Sequence, residues 1–327
     1  MRRRDFLGVI GSSAVIPSAA RGQQLAIPVI GFLHASAPET NAHLVAAFRK
    51  GLGEAGFIEG RNVVVEYLWA HNDAKQFSEL AAELVRRQVA VIVTPVNTAM
   101  AQAAKAATTT IPIVFSMGTD AVKAGLIVSY NRPGGKATGV SAMVAELGAK
   151  RLGLLLELRP QTRRIGLLVN PSNPFTTETS VKDVGSAASA GGVGVDVLAA
   201  STPREIGAVF EMLGNKPVGG LLVSPDPLFN NRRIQLATFA ARYMVPTIAP
   251  LREFVEAGGL MNYGPSDVER YRQVGIYAGR ILKGEKPADM PVQQPTTFEL
   301  VLNMQTARAL NIEVPATLIA RADEVIE

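Results

Sequence analysis

The chain has 327 residues, of which 47% are hydrophobic and 19% charged, with 33 lysines and arginines against 28 acidic residues, three histidines and no cysteine. Without cysteine there are no disulfides, and with only three histidines a structural zinc site is not expected, so the fold rests on its core alone, which a chain of this size can bury. Four arginines and one aspartate lie in residues 1–22, so removal of that segment takes the formal charge from +5 to +2. What remains has no basic run of the kind nucleic acid requires; pairs such as Arg86-Arg87 and Arg232-Arg233 read as solvated helix faces.

In chain order, Arg2-Arg3-Arg4 and an uncharged apolar stretch from Gly8 to Ala19 have the layout of a cleaved signal peptide, too short for a membrane span. Arg3-Arg4-Asp5-Phe6-Leu7 fits the twin-arginine pattern, with the general Sec route left open, and small residues place a cut before Gln23. No cysteine follows, so no lipid anchor is expected.

Short apolar runs bounded by Gly, Pro or Asn then alternate with segments of helical period, the pattern of a parallel sheet covered on both faces. Strands are predicted at 28–34, 62–69, 90–94 and 111–116, with helices at 41–55, 74–87 and 99–107. From Arg164 the sequence of elements restarts, and RIGLLVN echoes the first strand, VIGFLHA. Strands follow at 164–170, 194–198, 219–224 and 246–249, with helices at 177–190, 203–213 and 229–243. Glycine-marked passages at 131–141 and 258–264, a helix at 267–282, a linker at 283–295 and a strand at 298–302 complete the chain. The expectation is an α/β protein of two doubly wound parallel-sheet lobes joined by a hinge of several segments. Lobe 1 is expected at 27–140 plus 264–292, lobe 2 at 141–263 plus 293–314, and a C-terminal tail at 315–327.

In such sheets ligands sit beyond the carboxyl ends of the strands. The candidate binding residues are therefore His34 and Ser36 after the first strand, Asn97 and Thr98 after the third, and Gly118, Thr119 and Asp120 after the fourth. In the second half they are Asn170, Asn173 and Asp226. Free N–H groups at the helix start by Asn97 and Thr98 suit a carboxylate, or Asn97 is simply a helix cap. Asp226, between two prolines, is placed to receive an ammonium group, or alternatively caps the following helix. Trp69, Phe229 and Tyr263 offer apolar walls, although core packing is the commoner fate of such residues.

Gly51-Leu52-Gly53-Glu54-Ala55-Gly56 matches G-x-G-x-x-G in letters. A dinucleotide fingerprint opens a helix after a strand, whereas these glycines close a helix before a strand and read as a terminator. No G-x-S-x-G, P-loop or H-E-x-x-H occurs.

Several blocks in order carry a family likeness: FRKGLGEAGFIEGRN (48–62), LAAELVRRQVAVIV (80–93), IPIVF (111–115), LLVSPDP (221–227), REFVEAGGLMNYG (252–264) and the tail from Ile281 to Glu327. Across nearly all of the chain beyond the leader, the sequence resembles the ABC transporter substrate-binding proteins that include tryptophan-binding relatives. The resemblance implies a type I periplasmic-binding-protein fold and a soluble, monomeric periplasmic receptor. It implies one small ligand, an amino acid or an aromatic or other carboxylic acid, held in the cleft without a cofactor, and a permease that recognises the closed form. An exported α/β enzyme and the ligand-binding lobe of a sensory system are the alternatives.

Overall fold

The computed structural model of the protein describes residues 27–327 apart from Val96 and Pro217. The expected leader, 1–22, lies outside the described residues.

The first sheet has five parallel strands, β1 (Val29–His34), β2 (Val64–Trp69), β3 (Val91–Thr94), β4 (Ile113–Met117) and β5 (Ala137–Ser141), in the order β2-β1-β3-β4-β5. Its connecting helices are α1 (Ala42–Glu54), α2 (Phe77–Arg86) and α3 (Thr98–Ala107). After α4 (Gly148–Leu158) the unit repeats: β6 (Arg164–Val169), α5 (Pro174–Ala190), β7 (Gly194–Ala199), α6 (Pro203–Asn215), β8 (Leu221–Val223), α7 (Pro227–Asn231), α8 (Arg233–Arg242), β9 (Thr247–Ala249), α9 (Arg252–Glu256) and β10 (Met261–Gly264). Strands β7-β6-β8-β9-β10 lie in the same order as the five of the first sheet. The chain returns to the first sheet through α10 (Asp267–Leu282), then extends the second with β11 (Glu299–Asn303), α11 (Met304–Ala309), α12 (Ala316–Ile319) and β12 (Glu324–Ile326). β11 runs antiparallel to β10, and β12 is the edge strand beside β11.

The elements depart from expectation in several places, two of them with a local cause. The helix expected over 229–243 starts at Pro227, capped by Asp226, and breaks at Arg232 into α7 and α8. Helix α5 begins three residues before the expected start, with Pro174 in its first turn, where the missing N–H costs nothing. Helices α4, α9, α11 and α12 have no counterpart among the expected elements. The residues expected as a tail contain β12, which completes a sheet edge.

Both sheets are covered on both faces. Alternation along β1 sends Ile30 and Phe32 toward α1 and α10 and Leu33 toward α2 and α3. Along β6, Ile165, Leu167 and Val169 face one side and Leu168 the other. Helix α1 buries Leu44, Val45, Phe48, Gly51 and Leu52, one stripe at helical spacing. Its packing on α10 depends on two glycines: a Cβ on Gly51 would collide with the carbonyl oxygen of Arg272, and one on Gly275 with that of Phe48. Gly51 therefore serves close helix approach, while Gly56, at φ +91°, lies just beyond the end of α1.

The chain passes between the sheets three times, after β5, between β10 and α10, and between α10 and β11. Arg151 of α4 holds the first two passages together, donating to the carbonyls of Val144 (2.8 Å) and Tyr263 (3.3 Å). Burial lowers its pKa to about 10.

Candidate functional site

In the strand order 2-1-3-4-5 the chain leaves β1 and β3 in opposite directions, which opens a crevice at their carboxyl ends. The same holds for β6 and β8 in the repeat. The two crevices face each other, and between them lie three adjoining narrow hollows, with cavity volumes of only about 30, 20 and 40 Å³. Pro227, at the start of α7, borders all three. The lobes touch across the mouth: Thr40 Oγ1 donates to Asn231 Oδ1 (2.7 Å), Asn231 Nδ2 to Asn72 Oδ1 (3.2 Å), and His43 Nε2 lies 3.4 Å from Glu253 Oε1.

Asp226 is the acidic centre of the cleft and borders two of the hollows. It is 4% exposed and accepts from Asn170 Nδ2 (2.9 Å), Asn173 Nδ2 (3.0 Å) and the backbone N–H of Leu228 (2.9 Å). Burial moves its pKa above the usual carboxylate value, and the three hydrogen bonds oppose that movement. Among the described residues no cation forms an ion pair with it. Asp226 thus caps α7 and borders the cleft with the same side chain. Because a carboxylate can only accept, it fixes the Asn173 amide with its nitrogen inward, leaving Asn173 Oδ1 buried without a partner beside the same hollows.

On the facing lobe, Asn97 Oδ1 accepts from the N–H of Met100 (2.8 Å), and Thr98 Oγ1 lies 2.8 Å from Thr119 Oγ1. Asn97 borders one hollow, Thr98 and Gly118 another. Thr119 supports Thr98 from behind. Asp120 turns back into its own lobe, accepting from the N–H groups of Val122 and Lys123 and from Tyr130 Oη. It borders none of the three hollows.

His34 and Ser36 border the third hollow. The N–H of Ser36 donates to His34 Nδ1 (3.0 Å), which places the ring hydrogen on Nε2, and Nε2 donates to Tyr271 Oη (2.7 Å). Burial holds the imidazole neutral, with its pKa lowered to about 3. Unfolding restores an ordinary histidine near 6.5, so the unfolded chain takes up a proton first as the pH falls. The linkage is therefore absent above pH 6.5 and grows against folding as the pH drops from 6.5 toward 3. Between pH 6.5 and 5 it amounts to about 2 kcal/mol. Urea denaturation of the wild type and His34→Gln at pH 7 and pH 5 measures it: the wild type should lose about 2 kcal/mol more than the variant over that interval. Equal losses would show that His34 does not titrate on unfolding.

The three aromatic candidates pack elsewhere. Trp69, opposite His34 in the sheet register, lies with its ring centroid 4.8 Å from that of His34, on the α1 side. Phe229 is in the core of the second lobe, and Tyr263 stacks on Phe298. None of them borders the three hollows, because strand alternation and helix register turn them onto sheet faces. Residues outside the expected set take their place: Leu44, Pro95, Leu251 and Tyr271 form apolar wall, while Asn230, Glu253 and Arg270 add polar groups. Their signal in the sequence is faint, since most of them lie in helices or their approaches, away from the strand ends.

Two α/β lobes joined by three passages, with a narrow cleft between them, give the architecture of a two-lobed solute-binding protein. The chain belongs to the ABC transporter substrate binding protein family, whose sequence profile matches residues 29–326. A curated relative, the tyrosine-binding protein of Clostridioides difficile (strain R20291), is 28% identical over 276 residues, covering 81% of this chain and 76% of the relative. Among solved structures, an ABC domain from Streptococcus pneumonia in complex with L-Trp superposes with a TM-score of 0.82 at 24% identity, over 91% of this chain and 99% of that one. A conserved domain protein from Vibrio cholerae gives 0.83 at 24% identity with the same coverage. The ligand-free, open structure of a Clostridium difficile substrate binding protein gives 0.64 at 26% identity, over 92% and 99%.

Proposed function

We propose that this protein is the periplasmic receptor of an ABC importer and that it binds an amino acid, one with an aromatic side chain, between its lobes. The observation that carries the reading is Asp226, a buried carboxylate at the cleft without a cationic partner among the described residues, next to the unpaired carbonyl oxygen of Asn173. An ammonium group supplies the missing charge and the missing donor together. The relatives that bind tyrosine and L-Trp support the aromatic side chain, for which Leu44, Pro95, Leu251 and Tyr271 provide apolar surface.

In this reading the lobes divide near residues 141, 264 and 293, and the protein is a monomer without catalytic function. The ligand favours the closed state by the contacts it makes only there, and the permease reads that state. A thermal-shift series over tryptophan, tyrosine, leucine and simple aromatic acids tests this. An aromatic amino acid at about 100 times its Kd should add about 2.7 kcal/mol of stability, seen as a clear rise in Tm. A Tm indifferent to every amino acid, or turnover of one of them, overturns the reading.

A further inference from the structure

The hollow that holds Asp226 and Asn173 has a second charged wall. Arg270, in the first turn of α10, borders it from the opposite lobe, beside Thr98 and Gly118. Its side chain is 4% exposed. A guanidinium carries five N–H donors. Here it pairs with Asp267, reaches Ser116 Oγ only at 3.5 Å, and leaves Nε buried with no partner. The N-terminus of α3 faces the same space, with Asn97 Oδ1 taking the N–H of Met100 while the preceding N–H groups have no acceptor within the helix.

We propose that Arg270 anchors the ligand's carboxylate. An amino acid then lies in this hollow as a zwitterion, its ammonium on Asp226 and Asn173 of one lobe and its carboxylate on Arg270 and the first turn of α3 of the other. This rests on the amino-acid reading above and adds to it the polarity of the ligand and the origin of zwitterion selectivity. The two charges of the ligand's head each hold one lobe. A molecule with only one of them fits the cleft but cannot tie the lobes together. Asp267 competes with the ligand for Arg270, and the partial positive charge at the start of α3 offsets that competition.

The test pairs ligand groups with protein groups. Whichever of tryptophan and tyrosine binds the wild type more tightly is compared by calorimetry with its decarboxylated and deaminated analogues. These are tryptamine and indole-3-propionate, or tyramine and 3-(4-hydroxyphenyl)propionate. The wild type should prefer the amino acid over the amine by at least about tenfold. Arg270→Gln should bring that ratio to within about threefold by weakening the amino acid alone, and Asp267→Asn should widen it by freeing Arg270. Asp226→Asn should weaken the amino acid and the amine alike and leave the deaminated acid unchanged. The double variant Asp267→Asn/Arg270→Gln removes both buried charges together, and it must show the same collapsed ratio. An unchanged ratio in either Arg270 variant overturns the carboxylate assignment while the amino-acid reading stands. A wild type that binds neither amino acid overturns both.

Discussion

Asp226→Ala should weaken binding of the aromatic amino acid by at least tenfold. Removing one partner of a buried charged hydrogen bond at an interface costs about 2–5 kcal/mol. The aspartate also caps α7 through the N–H of Leu228 and engages Asn170 and Asn173. The ligand-free protein should therefore lose about 1 kcal/mol for the cap, and more for two stranded amides. The two effects separate experimentally: affinity is measured by calorimetry well below the transition, and stability by urea denaturation without ligand. Asp226→Asn keeps the shape of the side chain but removes the charge and turns one of its two accepting oxygens into a donor, so its affinity should fall as far as that of the alanine variant. Full affinity in the asparagine variant would remove the ammonium from Asp226.

The second large effect is structural. Gly275→Ala should destabilise the protein by about 3 kcal/mol, at the upper end of overpacking costs. The added methyl meets the carbonyl of Phe48, the N–H of Leu52 and the backbone of Gly51, so no flexible side chain can swing away to make room. Relief requires α1 and α10 to move apart, and the first turn of α10 carries Asp267, Arg270 and Tyr271. Gly53→Ala on α1 is the control. Nothing lies within 4 Å of its new methyl, so it should be neutral or stabilising by about 0.5–1 kcal/mol. Equal melting temperatures for wild type and Gly275→Ala would show that the helices are not locked at this contact.

Much of the fold was legible because strands and helices differ in period. RIGLLVN and VIGFLHA mark the start of two units that fold with the same strand order. The loops after β1, β3, β6 and β8 were legible for the same reason, since topology alone brings those strand ends together. What could not be read was direction. Trp69 ends an expected strand, as a cleft wall would, yet alternation puts it against His34 on the helix-covered side. Asp120 ends a strand loop as the topology requires, but Lys123 and Tyr130 turn its carboxylate inward. Arg270 was hidden because the sequence Asp-Val-Glu-Arg shows only an ordinary helical pair at i and i+3. Its place in the cleft depends on α10 crossing back to the first sheet, which no local pattern encodes.

The chain of hydrogen bonds from Thr40 through Asn231 to Asn72 joins the lobes without involving the central carboxylate. Contacts of this kind set the resting bias between open and shut molecules before any solute arrives. A larger shut fraction raises apparent affinity in direct proportion, because less binding energy is diverted to moving the lobes. It also presents more empty molecules in the shape that a partner would take as full. The strength of this amide bridge is therefore a setting between sensitivity and false signalling, and it can drift in evolution without any change to the residues that recognise the solute.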